Sequence, residues 1–215
     1  MTELEKEGKQ LMERLGMFND AVYAIALTLL VLELKLPENV KFDTPAGMIE
    51  GLKEMAPKFL AFLLSVALVG SNWVSSLRIQ RAIVYADTRL VVFMIIYLSL
   101  VSLTPFTCYL IGTFPGNPIS YVVFGVFAIL ICINGHFFLH HCRKQKLYHR
   151  DVDMKAVKQL ENSVFYVSAV IAMISGAAFF STKLSFVLFL AFNLVPFFIG
   201  KSLRINYKTE QQNLL

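Results

Sequence analysis

A chain of 215 residues that is 56% hydrophobic and only 16% charged, with a mean hydropathy of +0.61, carries more apolar surface than a water-soluble core can hide. Its formal net charge of +5 suggests nucleic acid, but the Lys and Arg residues stand in short tracts between apolar runs, which argues against a nucleic-acid face and fits a membrane protein. Cys108, Cys132 and Cys142 form no CxxC or other zinc-like spacing and read as small apolar packers without a redox role.

In place of a signal peptide the chain opens with the charged, helix-prone MTELEKEGKQLMERLG, so insertion is expected to rely on the first apolar run, which stays in the protein. About 20 mostly apolar residues cross the hydrocarbon core. Six segments qualify: 16–34, 57–77, 90–111, 119–139, 162–181 and 184–199. The expected fold is an all-α integral membrane protein, one domain over residues 1–215 with six transmembrane helices. Between the first two spans, Thr44 and Pro45 are expected to cap a short helix running to about Met55. Pro105 and Pro196 are expected to kink the third and sixth spans. GTFPGNP forms an uncharged turn, and only Thr182 and Lys183 separate the last two spans, which predicts a tight hairpin.

Fifteen of the twenty Lys and Arg residues fall on one side of this arrangement, in the N-terminal segment, after the second span, in the 143–158 tract and in the C-terminal tail. Lys35, Lys41, Lys53, Lys58 and Lys183 fall on the other. The bias predicts cytoplasmic N- and C-termini and a multi-pass protein of the cell (inner) membrane.

The first span is unusual. Phe18, Val22, Ile25, Leu29 and Leu32 recur at steps of four and three, which puts them on one stripe at the spacing of a helical seam. Ala21, Ala24 and Thr28 lie beside it, small enough to let another helix approach. By pattern alone the stripe fits a core helix of a bundle first, and a pore-lining helix second. Asp20 lies within this apolar run near its cytoplasmic end. Two readings stand: a functional or paired carboxylate, with Arg78, Arg81 or Arg89 at the same depth, or a carboxylate favoured by the helix dipole. Glu33 and Lys35 read as anchors at the outer end of the span.

Asn72, Asn134, His136 and Asn193 are expected to hydrogen-bond between helices. His136 and His140 are one turn apart with His141 beside them, but no acid or cysteine is read as completing a site there, so an interfacial role is favoured over a metal site. There is no TVGYG filter, no voltage-sensor arginine repeat, no P-loop, no HExxH and no GxSxG. Nothing supports an enzyme or a cofactor.

Arg14-x-x-x-Phe18-Asn19-Asp20 followed by AVYAIALTLLVLELKLP resembles the opening helix of the bacterial relatives of the lysosomal potassium channel, the transmembrane protein 175 family. Leu34, Leu36 and Pro37 close that stretch, while Trp73 in the second span and LVSLTPFTCYL at 100–110 add to the likeness. Asn19 replaces the family serine, and the histidine usual shortly after the tryptophan is missing, with Ser75, Ser76 and Leu77 in that stretch. The resemblance implies a homotetrameric potassium channel with the first helix of each subunit lining the pore. It puts the constriction at Ile25, Leu29 and Leu32, with Thr28 as a contributor to selectivity. Arg14, Phe18, Asn19 and Asp20 would hold the cytoplasmic end of the helix, and Trp73 would support its packing. It implies membrane lipid and other copies of the chain as partners, potassium as the conducted ion, no nucleic acid, no resident metal and no cofactor. The alternatives from other classes are a secondary transporter, for which the two prolines speak weakly, and a non-conducting scaffold that recruits anionic lipid or a partner through the basic 143–158 loop.

Overall fold

The computed structural model describes residues 3–32, 34–36, 43–150 and 152–199, with the side chains of residues 4 and 193–199 outside that description. Glu33, Pro37, Lys41, Lys201, Arg204, Lys208 and the side chains of Asn193 and Pro196 therefore lie outside the described residues.

The chain folds into eight helices among the described residues: α1 (Glu3–Val31), α2 (Pro45–Glu54), α3 (Ala56–Arg81), α4 (Thr88–Ser102), α5 (Thr104–Thr113), α6 (Pro118–Lys144), α7 (Met154–Ala177) and α8 (Thr182–Ile199). Five stretches are long and apolar enough to cross a membrane: α1, α3, α4 together with α5, α6, and α7. The last expected span coincides with α8, whose side chains are described only as far as Phe192, and over that part it falls short of a crossing length.

The helix α1 begins ahead of the span expected at 16–34 and carries the charged, helix-prone N-terminal segment as one continuous rod. Glu3 and Glu5 in its first turn complement the positive end of the helix dipole. Its 29 residues reach about 43 Å at about 1.5 Å each, so its first turns extend well beyond the hydrocarbon layer. The expected outer helix is present as α2: the Thr44 hydroxyl accepts the Gly47 N–H at 3.1 Å, and Pro45 sits in the first turn. Only Met55 separates α2 from α3.

The third span is broken rather than kinked. Leu103 separates α4 from α5, because Pro105 lacks the N–H that would continue the ladder and its ring crowds the preceding turn. The fifth span starts earlier than expected and ends earlier, so the turn to α8 is made by residues 178–181, while Thr182 and Lys183 belong to α8.

The basic connections gather at one end of the bundle. The Ala86 N–H donates to the Gly8 carbonyl at 2.9 Å, which ties α1 to the segment after α3. Val84 donates to the Leu147 carbonyl at 2.8 Å and His149 to the Ala82 carbonyl at 3.0 Å, so two loops far apart in sequence pair around a single β-bridge between Ile83 and Tyr148. Asp87 caps α4 by accepting the Leu90 N–H at 2.8 Å, and its second oxygen meets His141 Nε2 of α6 at 2.8 Å. Met12, Leu15, Ile83, Ala86, Leu147 and Tyr148 are buried with Leu90 and Met94 of α4 and Phe138, Leu139 and Cys142 of α6 in one apolar cluster.

A second cluster joins α3, α5, α6, α7 and α8 around Leu64, Ile111, Tyr121, Phe124, Ile171 and Phe189. Gly125 lets α6 and α7 come close: a Cβ there would fall 1.9 Å from Ser175 Oγ and 3.0 Å from Ser175 Cβ. Rotating the Ser175 hydroxyl relieves only the first contact. Gly125→Val is expected to force the helices apart and destabilise by about 1–3 kcal/mol, the cost of overpacking. A melting temperature unchanged from that of the parent would contradict this packing.

Candidate functional site

The two faces of α1 have different surroundings. Met12, Leu15, Asn19, Tyr23, Ala26 and Leu30, spaced three and four apart, are buried against the rest of the chain. On the other side Phe18, Ile25, Leu29 and Leu32 remain 50%, 58%, 43% and 62% exposed. Arg14, Ala21, Ala24 and Thr28 are exposed on that side as well, and Val22 is half-buried. The stripe read from the sequence is thus the face that its own subunit leaves uncovered, and the core-helix reading of that stripe does not hold for a single copy. Apolar α1 is needed on both sides, one for the bundle and one for whatever lies outside it.

The inward face is pinned by polar contacts. The Asn19 amide, fully buried, donates to Ser76 Oγ at 3.2 Å and lies 3.4 Å from Asp20 Oδ1. The Ser76 hydroxyl is also within 3.0 Å of the Trp73 carbonyl. The Trp73 indole N–H donates to Asp20 Oδ1 at 2.9 Å. Asn19 and Asp20 of α1 and Trp73 and Ser76 of α3 therefore form one small network between two helices. One turn further along, the Tyr23 and Tyr97 hydroxyls meet at 2.5 Å and tie α1 to α4. Each such bond contributes about 0.6–2 kcal/mol between helices in lipid, and together they set the rotation of α1.

Asp20 accepts the Trp73 indole N–H and lies within reach of the Asn19 amide. Indole N–H is the better match at this depth, since it binds a carboxylate without bringing a second charge out of water. The structure brings Asn19, Asp20 and Trp73 together; Arg14 and Phe18 lie on the exposed side of the same helix end and do not join them. Sequence reasoning missed Ser76, Tyr23 and Tyr97. Two of them were visible as a pattern, because Tyr23 follows Asn19 by four residues and Ser76 follows Trp73 by three, each about one helical turn.

Thr28 Oγ donates to the Ile25 carbonyl at 2.9 Å, a bond back to the preceding turn. Its proton is thereby directed into the helix, and the oxygen lone pairs are left on the exposed side.

The histidines need correcting. An acid does reach them, from α7: Glu161, 3% exposed, accepts from Arg143 Nε at 2.7 Å and Nη2 at 3.1 Å and lies 2.8 Å from His140 Nδ1. His136 Nδ1 is 3.1 Å from the Glu161 backbone carbonyl, so its interhelical role stands. His141 turns away to Asp87. Glu161 is therefore the anchor of an α6–α7 ion-pair cluster, and no metal-ligand grouping is present among the described residues. Asn134 departs from its expected role: it is buried, yet its Oδ1 has no hydrogen-bond partner. Cys108, Cys132 and Cys142 are free thiols, with Cys108 and Cys142 buried.

Residues 14–105 match the family described as "Endosomal/lysosomal potassium channel TMEM175". A potassium channel of Chamaesiphon minutus is 35% identical over 115 residues, an alignment that spans 54% of this chain and little more than half, 56%, of that protein. A potassium channel of Streptomyces collinus is 27% identical over 194 residues, 85% of this chain and 93% of the relative. Among solved structures, the crystal structure of a lysosomal potassium-selective channel TMEM175 homolog from Chamaesiphon minutus superposes with a TM-score of 0.75 at 25% identity, covering 92% of this chain and 99% of that one.

Proposed function

We propose that this chain, whose residues 14–105 match the TMEM175 potassium-channel family, is a member of that family and forms a potassium-permeable channel of the cell membrane in which four copies set α1 around a shared axis. Each subunit contributes six spans, α8 being the last, with both termini on the cytoplasmic side. The end of the bundle that gathers the basic connections fits that orientation.

One observation carries this reading: the Ile25, Leu29 and Leu32 stripe is uncovered in the subunit, while the opposite face of the same helix is pinned by Asn19, Asp20, Tyr23 and their partners. A fixed helix with a free apolar seam is what a ring of identical helices needs. Rings of Ile and Leu make a narrow neck from which water withdraws, and a dry neck blocks ions without any charged plug. Opening widens the rings by tilting or rotating α1.

Selectivity follows from hydration. A neck without a carbonyl cage does not replace the whole water shell, so it passes more readily the ion that sheds water at lower cost, potassium over sodium. The outward lone pairs of Thr28 offer one partial replacement ligand per subunit, with its proton already committed to Ile25. The selectivity expected is modest, below that of a carbonyl filter.

The test pairs mass with flux. The detergent-solubilised protein is expected at the mass of four chains, and in liposomes it is expected to pass potassium faster than sodium. A monomeric mass together with potassium-tight liposomes overturns the proposal.

A further inference from the structure

One exposed face of the α6–α7 pair carries the same order of side-chain types twice. On α6, Lys144, His140, Phe137, Ile133 and Leu130 follow one another at steps of four, three, four and three, and all five are exposed. On α7, Lys158, Asn162, Phe165, Ala169 and Ala172 do so in the opposite chain direction, at the same steps and again exposed. The helices run antiparallel in a register fixed at both ends. Near the basic end His140 and Arg143 meet Glu161 at 2.8 and 2.7 Å, and the centroids of the His136 and Phe165 rings stand 4.9 Å apart. Near the other end Gly125 lies against Ser175. That register sets lysine beside lysine, His140 beside Asn162, phenylalanine beside phenylalanine, and the two aliphatic residues of α6 beside the two alanines of α7. At 3.6 residues per turn each stripe lies about a fifth of a turn from the contact line, in the same rotational sense, which on antiparallel helices opens both on one side of the pair.

These levels match the parts of a phospholipid. Lys144 and Lys158 form no ion pair among the described residues. Of the described acids beside them, Glu161 already holds Arg143, and Asp153 caps α7 through the Lys155 N–H. His140 and Asn162 stand one turn deeper, at the depth of ester oxygens that an amide N–H can bond. Phe137 and Phe165 come next, and then a trough where Ala169 and Ala172 leave room beside Ile133 and Leu130. From Lys144 to Leu130 is about 21 Å at about 1.5 Å per residue, the depth of one leaflet with its head groups in a bilayer about 40–45 Å thick. The pair also stands clear of the uncovered stripe of α1, since α7 packs chiefly on α6 and α8, and α1 on α3, α4 and α5. A ring built on α1 would leave this face toward lipid.

We propose that this face is a binding groove for one anionic glycerophospholipid of the leaflet at the basic end. Its phosphodiester sits between Lys144 and Lys158, and an acyl chain runs along the stripe from Phe137 to Leu130. Two ammonium groups at one level favour an anionic head, whereas a zwitterionic lipid brings its own cation to the same place. Each lysine contributes about fivefold to the preference.

The full-length Phe137→Trp protein is placed in phosphatidylcholine bilayers that contain either phosphatidylglycerol or phosphatidylcholine with brominated chains. The emission of the introduced indole is obtained by subtracting that of the parent, whose sole tryptophan is Trp73. Bromine quenches at contact, so the loss of emission reads the chain that occupies the stripe. Phosphatidylglycerol is expected to hold this position at least about fivefold better than phosphatidylcholine. Adding Lys144→Gln with Lys158→Gln is expected to bring the two lipids close to parity. Adding Lys6→Gln with Lys9→Gln, which removes equal charge from exposed positions of α1 at the same end of the bundle, is expected to leave the preference in place. Equal quenching by both lipids in the Phe137→Trp protein overturns the groove. So does a preference that survives the loss of Lys144 and Lys158, or one that falls as far with the loss of Lys6 and Lys9, since a general attraction to the basic end would then explain it. A preference abolished by millimolar inorganic phosphate at constant ionic strength overturns lipid as the occupant. The readout needs no ion flux, so its outcome and that of the channel reading are independent.

Discussion

Ile25→Asn is expected to raise resting potassium leak about tenfold or more and to bring sodium flux closer to potassium flux. Ile25 lies on the uncovered side of α1, 58% exposed in the subunit. In a ring of four, its branched side chain would exclude water from the neck, and an amide in its place offers hydrogen bonds that keep water there. Lowering the barrier by about 1.4 kcal/mol already gives tenfold. Leu29→Ala, one turn further along the same stripe, is expected to raise leak by widening the ring. Phe62→Ala supplies the contrast. Phe62 packs against the core of its own subunit on α3, so its loss should lower thermal stability and leave selectivity alone. Liposome flux with each ion in turn, measured on all three variants, decides the matter. Leak and selectivity that stay at parental values in both α1 variants would remove the neck.

A second large effect is expected at Glu161. Its buried carboxylate accepts two bonds from Arg143 and one contact from His140, and together these join α6 to α7 beside the paired loops. Arg143→Ala leaves that carboxylate buried without its cation, and the melting temperature is expected to fall by several degrees. Glu161→Ala is expected to fall less far, because the Arg143 side chain is a third exposed and can recover water. The double replacement Glu161→Leu with Arg143→Leu removes both charges and is expected to be more stable than Arg143→Ala alone, since breaking a buried pair costs more than deleting it. Thermal unfolding of the solubilised protein reads all three. A double replacement no more stable than Arg143→Ala would mean that the two side chains do not act as a pair.

Hydropathy made five stretches of crossing length legible, because a run of about 20 apolar residues has few structural uses outside a bilayer. It misplaced their ends where the helix outlives its apolar stretch. Residues before Gly16 are polar, yet α1 includes them, because the paired loops at 82–87 and 145–153 give Met12 and Leu15 an apolar surface to bury. Cap chemistry was legible for the same local reason: Thr44 and Pro45 act within one turn of themselves. Pro105 announced a disturbance, but whether it kinks or breaks the span depends on neighbours that sequence does not show. Trp73 as a partner of Asp20 was not legible, because the indole reaches it only through the packing of α3 against α1. The acid beside the histidines was missed because it lies 21 residues from His140 on another helix.

The sequence by itself determined that the chain lives in a membrane, where its helices lie, and which family it resembles, since these follow from the local order of apolar, basic and motif residues. The tertiary structure alone decided which face of α1 is left uncovered, and that Glu161 binds α6 to α7. Those facts depend on distances between atoms far apart along the chain, and such distances are set by packing, which no local pattern of residues encodes.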